Sequence, residues 1–331
     1  MSAKKRILSG MRPTGSLHLG NFHGALANWV GMQDTYDCFF FIADWHALTT
    51  DYENTANMSK FAHNMMIDWL SAGLSPEKST LFVQSSVLEH AELFLLLSMI
   101  TPVPWLERNP TYKDQIIQLD NKDLSTFGFL GYPVLMASDI IIYKANGVPV
   151  GLDQVPHVEI TREIARRFNY LYGNVFPEPE AVLTESAKIL GLDRRKMSKS
   201  YQNTILLSES PEDIRAKVST MVTDPDRARR KDPGNPDICN VFEFHKLYSP
   251  ADVVADISVQ CRSAAIGCVE CKKMMAERLV EALAPVRDRR QYYEARPEMV
   301  KEIMAAGNQK ARSVAQQTME EVRAAVFHKT V

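Results

Sequence analysis

The sequence predicts an α/β protein, with a doubly wound parallel sheet in its first half and a mostly helical second half. Three observations carry this. Short continuous apolar runs alternate with helix-period segments, as expected for strands buried on both faces and joined by helices. Past about residue 236 the helical period alone persists. The 331 residues, 45% hydrophobic and 24% charged, suffice for about two ordinary domains.

The elements follow in order. Arg6 to Ser9 makes a first strand, ended by the turn Met11-Arg12-Pro13-Thr14-Gly15, and Phe22, Leu26, Trp29 and Val30 then recur at helical spacing. Cys38 to Ala43 is an unbroken apolar run and a second strand. Met58, Phe61, Met65, Trp69 and Leu70 form a helical face, and Leu81-Phe82-Val83 follows the break at Gly73 and Pro76 as a third strand. Pro133 to Tyr143 reads as a helix that starts at its proline and bears one acid, Asp139. Val148 to Gly151 is extended, and Asp153 to Phe168 reads as a helix with Asp153 as its N-cap. Asp224 to Pro236, rich in Pro, Asp and Arg, reads as a junction, and the helices beyond it include Lys272 to Leu283 and Asn308 to Phe327.

Composition excludes several classes. A net charge of −2 gives no global positive field, so any nucleic-acid contact rests on local patches such as Arg227, Arg229, Arg230 and Lys231. The uncharged stretch Leu124 to Ser138 is too short and too broken by Gly128, Gly131 and Pro133 to span a bilayer, and the N-terminus lacks the apolar segment of a secretion signal. A cytoplasmic location without membrane contact is expected. Five cysteines then read as thiols or metal ligands, with Cys38 a core residue of the second strand.

Chemistry concentrates in two segments. In Thr14-Gly15-Ser16-Leu17-His18-Leu19-Gly20-Asn21 a strand hands over to a helix between glycines, where free backbone N–H groups and the helix dipole favour an anion. In Arg195-Lys196-Met197-Ser198-Lys199-Ser200-Tyr201 two lysines three apart can hold phosphates as point charges. Each alone is weak, since a charge run is usually a solvated face. Together they resemble the HIGH and KMSKS motifs of class I aminoacyl-tRNA synthetases, with Asn21 in place of the second His.

The resemblance extends over most of the chain. Gly10 to Gly15, Ala43 to Thr49, Tyr132 to Ile140, Val148 to Gln154, and Lys310 to Val322 are similar to bacterial tryptophanyl-tRNA synthetases. It implies a Rossmann-like catalytic domain over 1–207, with a helical insertion at about 105–150 in the dimer and substrate region. It further implies a helical anticodon-binding domain over 208–290 and, over 291–331, helices packing back on the catalytic domain. The implied reaction is activation of L-tryptophan by ATP to the adenylate with release of pyrophosphate, then transfer to tRNA(Trp), in a homodimer with Mg²⁺. Catalytic charge stabilisation would fall to His18, Lys196, Lys199 and Lys113. Other nucleotide contacts would come from Met11, Arg12, Thr14, Gly20, Asn21, Gly151, Asp153, Met197 and Ser198. Tryptophan would be held by Leu8, His46, Tyr132, Met136, Asp139, Ile140, Val148, Val150 and Gln154, with Asp139 accepting the indole N–H. Apolar and polarizable walls suit a flat ring. Two departures are Arg12, where many members have Gln, and Leu152, where an acid is common.

Cys239, Cys261, Cys268 and Cys271 are spaced Cys-x21-Cys-x6-Cys-x2-Cys. Four thiolates suit tetrahedral Zn²⁺ or a [4Fe-4S] cluster. The spacing lacks the paired knuckles of a zinc ribbon and is similar to that of a subset of the same family that holds [4Fe-4S], with a slightly shorter first gap. Three rivals stand beside this reading: a synthetase for tyrosine or another amino acid, a free-standing nucleotidyltransferase with a HIGH-type turn, and an iron–sulfur RNA-binding or redox-sensing protein.

Overall fold

The computed structural model describes residues 4–118, 124–184 and 189–327. Five parallel strands form one sheet in the order β3-β2-β1-β4-β5: β1 (Arg6–Met11), β2 (Asp37–Ile42), β3 (Ser79–Val83), β4 (Gly147–Val150) and β5 (Glu180–Leu183). All of β3 and five of the six residues of β2 are buried, as their apolar runs require. The chain winds outward from β1 through β2 to β3, then returns to lay β4 on the other side of β1. That reversal opens a crevice beyond the carboxyl ends of β1 and β4, the usual ligand position in open α/β sheets.

Between β1 and β2 runs one continuous rod: α1 (Leu19–Asn21), a π-helical turn (Phe22–Leu26) and α2 (Ala27–Met32). After β2 come α3 (Asp44–Asp51) and α4 (Met58–Ala72), and after β3 come α5 (Glu89–Ser98), α6 (Val103–Glu107) and α7 (Pro110–Gln118). Helix α8 (Phe127–Ile141) precedes β4, and α9 (Val155–Tyr172) follows it. The second half contributes α10 (Pro211–Thr220), α11 (Asn240–Tyr248), α12 (Ala251–Arg262), α13 (Cys268–Glu294) and α14 (Pro297–Phe327). Among the described residues no helix is long and apolar enough to cross a membrane.

Several boundaries differ from the sequence reading. Helix α8 begins two turns before Pro133, capped by Thr126, whose hydroxyl accepts the Phe129 N–H at 3.2 Å, so the proline lies inside it. The β4–α9 junction is a 3₁₀ turn at Leu152–Gln154, and Gln154, not Asp153, is the N-cap of α9. Helix α13 starts earlier and runs on through Pro285.

Two apolar clusters sandwich the sheet. One joins Ile7, Trp29, Phe40 and Trp69 to Phe244, Met275, Leu279 and Leu283 of α11 and α13, so a single core crosses the expected catalytic–helical boundary. The other joins Phe39, Phe82, Ile140 and Tyr143 to Ala311, Ala315, Met319 and Val322 of α14. These last four are fully buried at helical spacing, which sets α14 against β3 and α5.

Candidate active site

A cavity of about 460 Å³ fills the crevice at the switch point, a size usual for small-molecule sites. Leu8, Arg12, His46, Tyr132, Met136, Asp139, Ile140, Val148, Val150, Gly151 and Gln154 line it together. Gly10 shapes its floor, because a Cβ there would meet the Phe41 ring at 2.5 Å.

Asp139 is fully buried on α8 and is the hub of a polar network. Its Oδ2 lies 2.7 Å from His46 Nε2, its Oδ1 lies 2.5 Å from His90 Nδ1, and Gln84 Nε2 donates to both oxygens at 2.9 Å. Burial opposes ionisation, yet the hydrogen bonds from His46 and His90 carry the Asp139 pKa below the ordinary carboxylate value. His90 Nε2 lies 2.7 Å from the Tyr143 hydroxyl, so with Nδ1–H donating to Asp139 its other nitrogen accepts from Tyr143. His46 is the histidine of this network that lines the cavity. Two turns earlier on α8 the Tyr132 hydroxyl meets His157 Nε2 at 2.9 Å, and His157 Nδ1 meets Gln154 Oε1 at 2.9 Å.

The two motif segments, 185 residues apart, meet beside this cavity. Lys199 Nζ donates to the Thr14 carbonyl at 2.8 Å, and Gly15, at φ +101°, leaves room for the ammonium 3.3 Å from where a Cβ would stand. Leu19 N–H donates to Ile205 O and Leu207 N–H to Leu17 O, lacing the turn to the chain after the lysine loop. Met197 is buried, while Lys196 and Lys113 are exposed. Asn203 holds the loop from within, accepting Ser198 N–H at 2.8 Å and donating to Lys196 O.

His18 caps α1. Its Nδ1 accepts Asn21 N–H at 3.3 Å while Asn21 Oδ1 accepts His18 N–H at 3.1 Å, so Asn21 closes a capping box. Gly20 is needed here, since a Cβ would crowd the imidazole at 3.0 Å. Burial, and then the charge of Lys199, push the His18 pKa down to about 4. With Nδ1 accepting, the proton of the neutral ring sits on Nε2, available to a phosphate oxygen. Nitrogen-15 NMR of the imidazoles near pH 6 is expected to find His18 neutral and in this tautomer; titration near the ordinary histidine value would contradict it. The sign follows from linkage: below about pH 6.5 the unfolded histidine takes up a proton that the native one refuses, so this group lowers stability as pH falls toward 4.

The four spaced cysteines lie on three elements around the start of α13. Cys239 is the N-cap of α11, Cys261 lies near the end of α12, and Cys268 and Cys271 share one face of the first turn of α13. Burial, and then the other three cysteines, push the Cys271 pKa up to about 12. Arg227 Nη1 lies 3.7 Å from Cys268 Sγ, His245 Nε2 lies 3.5 Å from Cys271 Sγ, and a Cβ at Gly234 would stand 2.7 Å from Cys261 Sγ. Among the described residues, however, no three His, Cys, Asp or Glu side chains stand as a ready ligand group for a metal ion. Two of the four cations in the neighbouring basic run are spent on structure. Arg227 donates to Arg230 O and Ile266 O, and Arg230 to Ala264 O and Ala265 O, which leaves Arg229 and Lys231 outward.

Sequence reasoning missed Gln84, His90 and His157, single polar residues in no recognisable spacing, and Asn28, which also lines the cavity. Of the expected contacts, the side chain of Asp153 lies outside the described residues.

Comparison with known proteins agrees with this geometry. The family described as tRNA synthetases class I (W and Y) matches residues 2–284. A tryptophan–tRNA ligase of Thermotoga maritima is 52% identical over 97% of the chain and 98% of its own length, and one of Aquifex aeolicus is 46% identical over 97% and 99%. The crystal structure of a Campylobacter jejuni tryptophanyl-tRNA synthetase complexed with ADP and tryptophan superposes with a TM-score of 0.89, at 34% identity, covering 97% of this chain and 99% of that one.

Proposed function

The chain belongs to the class I tRNA synthetases, among their tryptophan–tRNA ligases, and from that premise we propose how its crevice activates L-tryptophan with ATP and charges tRNA(Trp). The observation that carries the assignment of roles is the ionised, fully buried Asp139 at the end of a pocket walled by Tyr132, Met136, Ile140, Val148 and Val150, beside the nucleotide turn. An indole N–H offers this carboxylate a donor, and a substrate without one leaves it short of a partner. Leu8 closes the pocket, Gln154 and His46 orient the amino acid, and Gly151 meets the nucleotide.

The tryptophan carboxylate attacks the α-phosphorus of ATP in line, the bond to the bridging oxygen breaks, and pyrophosphate leaves with that electron pair. Mg²⁺ enters as the counter-ion of the ATP substrate. The protein contributes position and charge: His18 through Nε2–H, Lys199 once it leaves the Thr14 carbonyl, Lys196, and Lys113 from α7. Met11, Arg12, Thr14, Gly20, Asn21, Met197 and Ser198 frame the nucleotide. A hydroxyl of the tRNA terminal ribose then attacks the adenylate carbonyl and takes the acyl group, the bond to the phosphate oxygen breaks, and AMP leaves. ATP–pyrophosphate exchange tests the reading: exchange with tryptophan and none with tyrosine is expected, and the reverse overturns it.

The cysteine group is proposed to hold [4Fe-4S] rather than Zn²⁺. Its support is the chemistry of the donors, four thiols within electrostatic reach of one another with Arg227 to offset thiolate charge; as they stand no three of them form a ligand group, so the side chains would have to close on the cluster. When bound, the cluster supplies a cross-link between the Cys239 turn, α12 and α13. Protein purified without oxygen is expected to be brown, with blue-region absorbance that bleaches on reduction; colourless protein containing zinc would refute this. A homodimer is proposed across the outward apolar residues Leu88, Leu95 and Met99 of the α5 region and Phe127 of α8. The division at 207 and 290 and a cytoplasmic location belong to the same reading.

A further inference from the structure

One buried ion pair joins the helical half to the nucleotide turn. Asp68, on α4, and Arg290, about one turn before the end of α13, are both buried and bond to each other through Oδ1 and Nη1. Asp68 Oδ2 also accepts the backbone N–H of Leu17 at 3.0 Å, the residue immediately before His18. Arg290 is itself held by Glu294 at 2.9 Å, and its neighbour Arg289 donates to Ser71 O of α4 at 2.6 Å. On the other side, the Leu17 carbonyl accepts Leu207 N–H at 3.0 Å, so this one residue is gripped through its N–H by the catalytic sheet's own helix and through its carbonyl by the chain after the lysine loop. The Asp68 charge also reaches Lys199, opposing the drop in its pKa that burial causes.

A buried pair of this kind is a poor device for stability alone, since well-packed apolar residues of similar size often do as well or better. Its distinguishing feature is what the carboxylate does with its second oxygen. That oxygen fixes the Leu17 N–H, one residue before His18 and the helix start, at a turn whose Gly15 occupies left-handed backbone space. Resting on the function proposed above, we propose that Asp68, locked by Arg290, is a positioning residue for ATP. The seating of α13, whose first turn bears Cys268 and Cys271 roughly 28–33 Å away at 1.5 Å per residue, is thereby part of the nucleotide site.

The test is ATP–pyrophosphate exchange and direct ATP binding by equilibrium dialysis, on wild type, Asp68→Asn, Arg290→Lys and the apolar double variant Asp68→Leu/Arg290→Met. Folded variants are expected to bind ATP about tenfold more weakly and to show a matching rise in KM for ATP, the size of one lost hydrogen bond to a charged group, with KM for tryptophan within about twofold of wild type. The double variant is expected to unfold at a temperature near that of wild type and still to bind ATP weakly, which separates positioning from stability. Unchanged ATP affinity in the folded double variant overturns the proposal. So does a fall in kcat alone, or a rise in both KM values together, the marks of a merely structural pair. Wild-type protein that binds ATP but gives no tryptophan-dependent exchange would count against the functional assignment, and the dialysis comparison would still decide this inference.

Discussion

Asp139→Asn is expected to lower kcat/KM for tryptophan in pyrophosphate exchange by about 10²–10³-fold, the loss of a charged acceptor from a fully enclosed site, with KM for ATP little changed. The substitution keeps the shape and removes the charge. Two oxygens that accept from His46, His90 and Gln84 become one oxygen and one NH₂ group, which would face a donor in place of an acceptor. The histidines can re-protonate to suit, but the indole N–H then meets a weaker and partly occupied oxygen. Discrimination against phenylalanine should shrink as well, because the penalty for leaving a carboxylate unpaired has gone. Asp139→Ala is the poorer probe. It strands three buried donors at roughly 1–3 kcal/mol each and endangers the fold before it reports on specificity. Tryptophan kinetics within threefold of wild type in a folded Asp139→Asn protein would remove Asp139 from the specificity role.

What the sequence disclosed and what it hid follow from the kind of interaction involved. Strands β2 and β3 were legible because burial on both faces forces continuous apolar runs, Cys38 to Ala43 above all, and β1 through Ile7-Leu8 ahead of its turn. Strand β5 was not, because Glu180 to Leu183 is an edge only half covered, with no run to mark it. The start of α8 was misread because Pro133 looks like a first-turn residue, whereas the cap that starts the helix is Thr126. Of the site, Asp139, the His18 turn and the Lys196–Lys199 loop were visible as motifs. Their meeting in space was not readable from spacing, since it depends on the Lys199–Thr14 and Leu17–Leu207 bonds. Gln84, His90 and the Asp68–Arg290 pair were invisible for another reason. They act through a second residue, and a single buried polar group has no period. In the run from Arg227 to Lys231 the spacing did not tell which cations are structural: Arg227 and Arg230 bond turn carbonyls, while Arg229 and Lys231 are exposed.

Gly307→Ala is expected to destabilise the protein by more than about 3 kcal/mol, although helix propensity alone would stabilise it by about 1 kcal/mol. The sign is decided by one contact. A Cβ at Gly307, in α14, would stand 1.8 Å from the Leu81 carbonyl oxygen and 2.8 Å from its carbon, and that backbone lies in the middle of β3. A flexible side chain could swing aside, but a strand carbonyl cannot, so α14 must lift. Lifting strains the bond from Val83 N–H to Asn308 Oδ1, 2.9 Å long, and the ion pairs that tie α14 to α5, Arg312 to Glu89 and Arg323 to Glu92. Val83 directly precedes Gln84, which braces Asp139, so the same displacement reaches the specificity network and should raise KM for tryptophan. At roughly 2–4 °C per kcal/mol for a chain of this order, the unfolding midpoint should fall by about 10 °C. Gly31→Ala in α2 is the control, because a Cβ there meets nothing within 4 Å and propensity acts unopposed. An unfolding midpoint for Gly307→Ala at or above that of wild type would show that α14 does not lie this close to the sheet.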